Sequence, residues 1–185
     1  MNLLLASSSP RRKMLLEGLG FDLKIVAPKI DEAPLPNENP HDLVLRLAKQ
    51  KAEAVSGNYD LIVLAADTVV VCAGQLLGKP KDKSEARLFL QKLSNTCHKV
   101  LTGYTLLKGH QYISHVVTTQ VWFRNLKEIE IEAYVATKEP YDKAGGYAIQ
   151  GAAAAFIDRI DGSFTNVIGL PLKEVLESLQ QMLHE

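Results

Sequence analysis

An aspartate stands inside an apolar run. Asp67, in Ala65-Ala66-Asp67-Thr68-Val69, together with Thr68 interrupts the stretch from Leu61 to Cys72. An ionised carboxylate buried without a partner is costly, so the pattern puts Asp67 at a strand end facing a cleft. There it can bind a divalent cation or activate water; a strand-end Asp in an ordinary turn fits the same pattern. A second candidate is Ser7-Ser8-Ser9-Pro10-Arg11-Arg12. A strand feeding a helix N-terminus leaves backbone N–H groups free for a phosphate. Arg11 and Arg12 would lie in the first helical turn, where the macrodipole disfavours cations. A bound anion resolves that conflict, and a solvated basic turn is the plain alternative. Lys51 and Lys79 add positive charge, although either alone is an ordinary surface residue. Gly74 to Lys79 is no P-loop, because three residues separate Gly74 from Gly78 and Pro80 stands where Ser or Thr is required. In Asp142–Gly151, Gly145, Gly146 and Gly151 let backbone approach a ligand, and Gln150 offers donor and acceptor to a base edge. A flexible loop reads equally well there.

These residues need elements to position them. Leu3–Ala6 reads as a short buried strand, and Ser9-Pro10 as cap plus Pro opening a helix that stops near Gly20. Asp22–Ala27 alternates like a strand, and a Pro-rich loop with Asp31-Glu32 follows. Asn39-Pro40 opens a second helix, with Leu43, Val44, Leu47 and Ala48 on one face, ending near Gly57. Leu61–Ala66 is an apolar strand, extended through Thr68–Cys72 to a turn at Ala73-Gly74. Ser84 is expected to cap a helix through Leu93, and Asn125 one to about Thr137. Between them, Val100–Leu107 and Tyr112–Phe123 form a hairpin around Gly109-His110. A glycine-rich loop from Glu139 to Gly151, a strand around Phe156–Ile160 and an amphipathic helix from near Pro171 complete the chain. Early alternation of strands and helices with a late hairpin predicts an α/β fold, a mixed twisted sheet with helices packed around it.

Composition limits the function classes. The 185 residues fit one domain, 1–185, with room for a lobed cleft. Lys plus Arg equals Asp plus Glu, 21 against 21, so no global field favours nucleic acid or an acidic membrane. Any anion must be held by a local positive cluster. Cys72 and Cys97 stand apart as buried thiols of a reducing compartment, and the five histidines lack metal-ligand spacing. No secretory signal is visible and the longest apolar stretch falls short of a membrane span, so a soluble, cytoplasmic protein is expected.

Taken in order, the segments resemble the Maf family of nucleotide pyrophosphatases over essentially the whole chain. The resemblance is carried by Leu-Ala-Ser-x-Ser-Pro-Arg-Arg at 5–12, Asp31-Glu32, Arg46-Leu47-Ala48-x-x-Lys51-Ala52, Ala66-Asp67-Thr68 and Gly78-Lys79-Pro80. It continues through Thr102-Gly103, Asp142-Lys143-Ala144-Gly145, Ile149-Gln150-Gly151 and Val167-Ile168-Gly169-Leu170-Pro171. It implies a Maf/ITPase-like fold with a ligand cleft between two lobes, and hydrolysis of a nucleoside triphosphate to the monophosphate and pyrophosphate. Asp67 matches the family's general base. Ser7, Arg11, Lys51 and Lys79 become candidates to hold the triphosphate, and Glu32 with Asp67 to hold Mg²⁺ or Mn²⁺. Arg12, Thr68 and Gln150 match the specificity positions of the dTTP/UTP branch. The 7-methyl-GTP branch instead has Trp after Ser-Pro, Asp-Gln, and Ser-Glu-Gly, where this chain has Arg11, Asp67-Thr68 and Ile149-Gln150-Gly151. The resemblance also implies a homodimer. A regulatory nucleotide-binding role is the competing class.

Overall fold

The computed structural model describes residues 2–57 and 61–184. They group into two compact units. The first comprises Met1–Asp67, Thr102–Val117 and Gly169–Glu185; the second comprises Thr68–Leu101 and Thr118–Ile168. Seven strands form one mixed sheet: β1 (Asn2–Ala6), β2 (Asp22–Ile25), β3 (Ile62–Cys72), β4 (Gln75–Leu77), β5 (Cys97–Lys108), β6 (Gln111–Phe123) and β7 (Ile157–Asp161). The order is β2-β1-β3-β5-β6-β7, with β4 paired to β3. The helices are α1 (Pro10–Glu17), α2 (Pro40–Ser56), α3 (Lys83–Leu93), α4 (Glu128–Val135), α5 (Phe164–Ile168) and α6 (Leu172–His184).

In the first unit β1 pairs in parallel with both β2 and β3, matching Leu5 to Ile25 and to Leu64. A parallel strand covered on both faces needs apolar residues at every position. Leu3 and Leu5 face a core shared with Leu16, Leu64, Tyr104 and Leu179, whereas Leu4 and Ala6 face Ala52, Val55 and Leu107. Leu3, Leu4, Leu5, Leu16 and Leu64 are fully buried, which stabilises the unit by about 1.5–3 kcal/mol per side chain. Tyr104 ends in polar contacts, donating to the Glu174 carbonyl at 2.9 Å and meeting Ser178 Oγ at 2.8 Å. Gly103 lets β5 approach α2 closely: a β-carbon there would lie 2.8 Å from Leu45 N and closer still to the Val44 carbonyl.

The second unit is built on antiparallel pairs. Ala73 and Gly74, at φ 48° and 77°, make the tight turn that folds β4 back on β3, with Val70 opposite Leu77. Its core gathers Val70, Leu90, Val121, Phe123, Tyr134, Tyr147 and Phe156. β6 pairs with β7, with a register shift at Trp122/Phe123.

Several boundaries differ from the sequence expectation. Ser9 and Asn39 do cap α1 and α2 through their side chains. Asp82, not Ser84, caps α3 by accepting from Glu85 N at 2.8 Å. α4 starts at Glu128 instead of next to Asn125, and Glu130 accepts from Lys127 N at 2.8 Å. Both are competitions between neighbouring polar residues, decided by which carboxylate reaches the orphan N–H groups. α1 ends at Glu17, before Gly20, whose φ of 79° belongs to the following turn. The glycine-rich segment contains short 3₁₀ turns at Glu139–Asp142 and Ala144–Gly146. The short strand β4 and the helix α5 have no counterpart in the sequence reading. Among the described residues no helix is long and apolar enough to cross a membrane.

Candidate functional site

Asp67 sits in the middle of β3, and this corrects the strand-end expectation. It is 9% exposed, so its charge needs a partner, and Lys51 supplies one. Lys51 Nζ lies 2.6 Å from Asp67 Oδ1 and 2.8 Å from Glu32 Oε1. Lys51 occupies the inner face of α2 beside Val44, Ala48 and Val55, and its side chain is 8% exposed. The lysine therefore crosses an apolar helix face to meet a carboxylate inside a strand. The aliphatic stem packs and only the head is polar. Glu32, 54% exposed, reaches the same ammonium from the Pro-rich loop.

That loop is fastened to α2 ahead of Lys51. Arg46 forks onto Glu38 at 2.6 and 2.7 Å and also donates to the Ala33 carbonyl at 3.1 Å. The fork and the Leu35 N–H hold the Glu38 carboxyl down to about 2. Asp31 accepts from Ala33 N at 2.9 Å. Glu32 thus projects from a loop that is tied down on both sides of it.

Arg12 is the second buried charge. Arg12, for which the sequence allows an external anion or a solvated turn, is buried together with Leu16 on α1. Its Nε donates to the Gly169 carbonyl at 2.8 Å, and Nη1 donates to the Ala66 carbonyl at 2.8 Å and to Ser7 Oγ at 3.2 Å. These protein acceptors answer part of the conflict between a cation and the positive end of a helix. Burial pulls the guanidinium below its ordinary value, while nearby Asp67 pulls it back up. Ser7 is buried as well, and its Oγ also accepts from Ser9 N at 3.2 Å. Arg12 thereby joins the end of β1, the residue before Asp67, and the Gly169 turn. The carbonyls of Ala66 and Gly169 carry no side-chain signature, so sequence reading missed them. Gly169, at φ 122° in the Ile168-Gly169-Leu170 motif, is the one visible clue.

Six of the sequence-derived residues, Ser7, Arg11, Arg12, Glu32, Lys51 and Asp67, belong to the first unit. Of these, the fold brings together Lys51 with Asp67 and Glu32, and Arg12 with Ser7. Thr68, Lys79 and Gln150 belong to the second unit, where Lys79 and Gln150 are exposed and Thr68 is partly buried. Gly145 N donates to the Gly78 carbonyl at 3.0 Å, so the glycine-rich segment is tied to the residue preceding Lys79.

The Glu32–Asp67 pair suits a divalent metal of limited kind. Two carboxylate oxygens already converge on one cation, the Lys51 ammonium. Hard oxygen donors are what Mg²⁺ takes, and it commonly keeps only one or two carboxylates, drawing the rest of its ligands from water and phosphate. No cluster of three or more His, Cys, Asp or Glu suited to a metal occurs among the described residues. The two carboxylates offered by Glu32 and Asp67 match the number of protein carboxylates that Mg²⁺ commonly takes.

Known proteins resemble this chain over nearly its whole length. The chain is 46% identical over 184 residues to the dTTP/UTP pyrophosphatase of Geotalea uraniireducens (strain Rf4), covering 98% of this chain and 95% of the relative. It is 49% identical to the dTTP/UTP pyrophosphatase of Syntrophus aciditrophicus (strain SB), covering 97% and 89%. Among solved structures, a HAM1 protein from Coxiella burnetii superposes with a TM-score of 0.53 at 17% identity, covering 100% of this chain and 98% of that one. That last likeness is one of fold alone. The family model described as Maf-like protein matches residues 2–182, and the chain belongs to that family.

Proposed function

We propose that this protein is a nucleoside triphosphate pyrophosphatase that hydrolyses dTTP and UTP to the monophosphate and pyrophosphate. The observation that carries the reading is the bridge from buried Lys51 to Asp67 at 2.6 Å and to Glu32 at 2.8 Å. A structural ion pair has no need to set two carboxylates around one ammonium within a chain so close to named dTTP/UTP pyrophosphatases. Water attacks the α-phosphorus, an O–P bond forms, and the bond to the bridging oxygen of the β-phosphate breaks with pyrophosphate leaving. Asp67 takes the proton lost by the attacking water. Ser7, Arg11, Lys51 and Lys79 position the triphosphate and offset its charge, which is the main demand of phosphoryl chemistry. Mg²⁺ or Mn²⁺ held by Glu32 and Asp67 would acidify water and neutralise phosphate oxygens.

Base selection falls to Thr68 and Gln150, with Arg12 acting through the chain. Its guanidinium bonds to Ala66 and Gly169 carbonyls, so it supports Asp67-Thr68 from behind. Gln150 is exposed and has an amide that can pair with both a carbonyl and an N–H of a pyrimidine edge.

The test is a pyrophosphate-release panel over dTTP, UTP, purine triphosphates and 7-methyl-GTP, with Mg²⁺ and with Mn²⁺. Wild type should prefer dTTP and UTP. Asp67→Asn should lower turnover by about 10²–10⁴-fold, the range of a lost acid–base group. Turnover by that variant near wild type would remove Asp67 from the chemistry, and preference for 7-methyl-GTP would overturn the substrate reading.

A further inference from the structure

Gln150 is exposed, so its amide is placed by the backbone that carries it. Ahead of Gln150, the segment is anchored twice within the second unit. Gly145 N donates to the Gly78 carbonyl at 3.0 Å, and the Tyr147 hydroxyl meets buried His98 Nε2 at 2.7 Å. Immediately after Gln150 the anchor is different. The Glu139 carboxylate accepts from Ala152 N at 3.1 Å through Oε2 and from the Tyr134 hydroxyl at 3.1 Å through Oε1.

Gly151 explains how close that carboxylate comes. Its φ is −110°, which any residue adopts, so backbone freedom does not account for a glycine here. A β-carbon built on Gly151, however, would overlap the Glu139 carboxylate. The glycine makes room for the carboxylate. Burial of Tyr134 and the neighbouring Glu139 charge push its hydroxyl up, so it stays protonated and donates.

We propose that Glu139, oriented by Tyr134, is a positioning residue for base selection: it fixes the Gly151–Ala152 backbone and through it the presentation of the Gln150 amide. The proposal rests on the reading of Gln150 as the residue that meets the nucleobase. Glu139 touches neither phosphate nor reacting atoms on this view, so its loss should not slow the chemical step itself.

The experiment measures kcat and KM for dTTP and for dATP in wild type, Glu139→Gln and Tyr134→Phe, with thermal melting of each. Losing one bond to an ionised acceptor corresponds to about tenfold or more. Both variants should therefore lose about that factor in kcat/KM for dTTP, through KM, with dATP changed by less than about twofold. Gly151→Ala should act similarly alone, but add little when Glu139 is already Ala, because the carboxylate it would strike is gone. That pair also decides the matter if Glu139→Gln fails to fold. Folded variants that keep wild-type selectivity, or lose kcat equally on both nucleotides, overturn the positioning role alone. A wild type without pyrimidine preference overturns this role and the substrate reading together.

Discussion

Replacing Lys51 by methionine keeps the packed stem and deletes the ammonium that two carboxylates share. Asp67 has a side chain 12% exposed and Lys51 one of 8%, so theirs is a buried pair. Removing one partner of such a pair costs about 3–5 kcal/mol, because the remaining charge is stranded. Arg12 still interacts with Asp67, which favours the lower end, about 3 kcal/mol. Glu32 is 54% exposed and solvent screens it, so its share is at most about 1 kcal/mol. For a chain of this size, about 3 kcal/mol corresponds to a fall of about 6–12 °C in Tm. Thermal denaturation followed by circular dichroism with chelator present measures it. Adding Mg²⁺ should then raise the Tm of the variant more than that of wild type, since the vacated cation position lies between two carboxylates. A chelated variant melting within about 2 °C of wild type would refute the claim that Lys51 neutralises a buried Asp67. A variant with the expected deficit but no response to Mg²⁺, with or without dTTP present, would remove Glu32 and Asp67 as metal ligands.

Gly103→Ala would drive a β-carbon into the backbone of α2 at Val44 and Leu45, and overpacking against backbone should cost about 1–3 kcal/mol. Because α2 carries Lys51, dTTP turnover measured well below the variant's melting point should fall too; full activity would show that α2 can yield without displacing the lysine. His98, 1% exposed, is held neutral by burial, its value pushed down from the ordinary 6.5 to about 4. A depressed histidine favours the folded state above pH 6.5, and that contribution is lost as pH falls toward about 4. The loss amounts to about 3 kcal/mol. Urea midpoints across this window should drop in wild type, and His98→Phe should remove much of the slope. An unchanged slope would assign the acid sensitivity to other groups.

Much of this protein is determined by local sequence. The run Leu3–Ala6 needs cover on two faces whatever surrounds it, and Ser9-Pro10 and Asn39-Pro40 start helices because side-chain acceptors and fixed φ act within a few residues. The chemistry-bearing residue types are equally legible, since Asp67 in an apolar run and Lys51 on an apolar helix face are both conflicts that demand partners. Which partner answers each conflict is a long-range matter. The extended run on both sides of Asp67 is legible in sequence, but nothing near it announces how a carboxylate is tolerated inside the strand, because the neutralising charge comes from α2. Arg12 obeys the same logic in reverse. Its sequence position allows an external anion or solvent as company, and carbonyls from Ala66 and Gly169 reach it only once the chain has folded. Gly151 stands out in sequence as a loop glycine, but its relation to Glu139 appears only when a carboxylate occupies the place of the missing β-carbon. Local sequence sets most of the elements and the charges that need company. Tertiary structure decided the company, because backbone acceptors have no residue type and contacts between distant segments leave no local pattern.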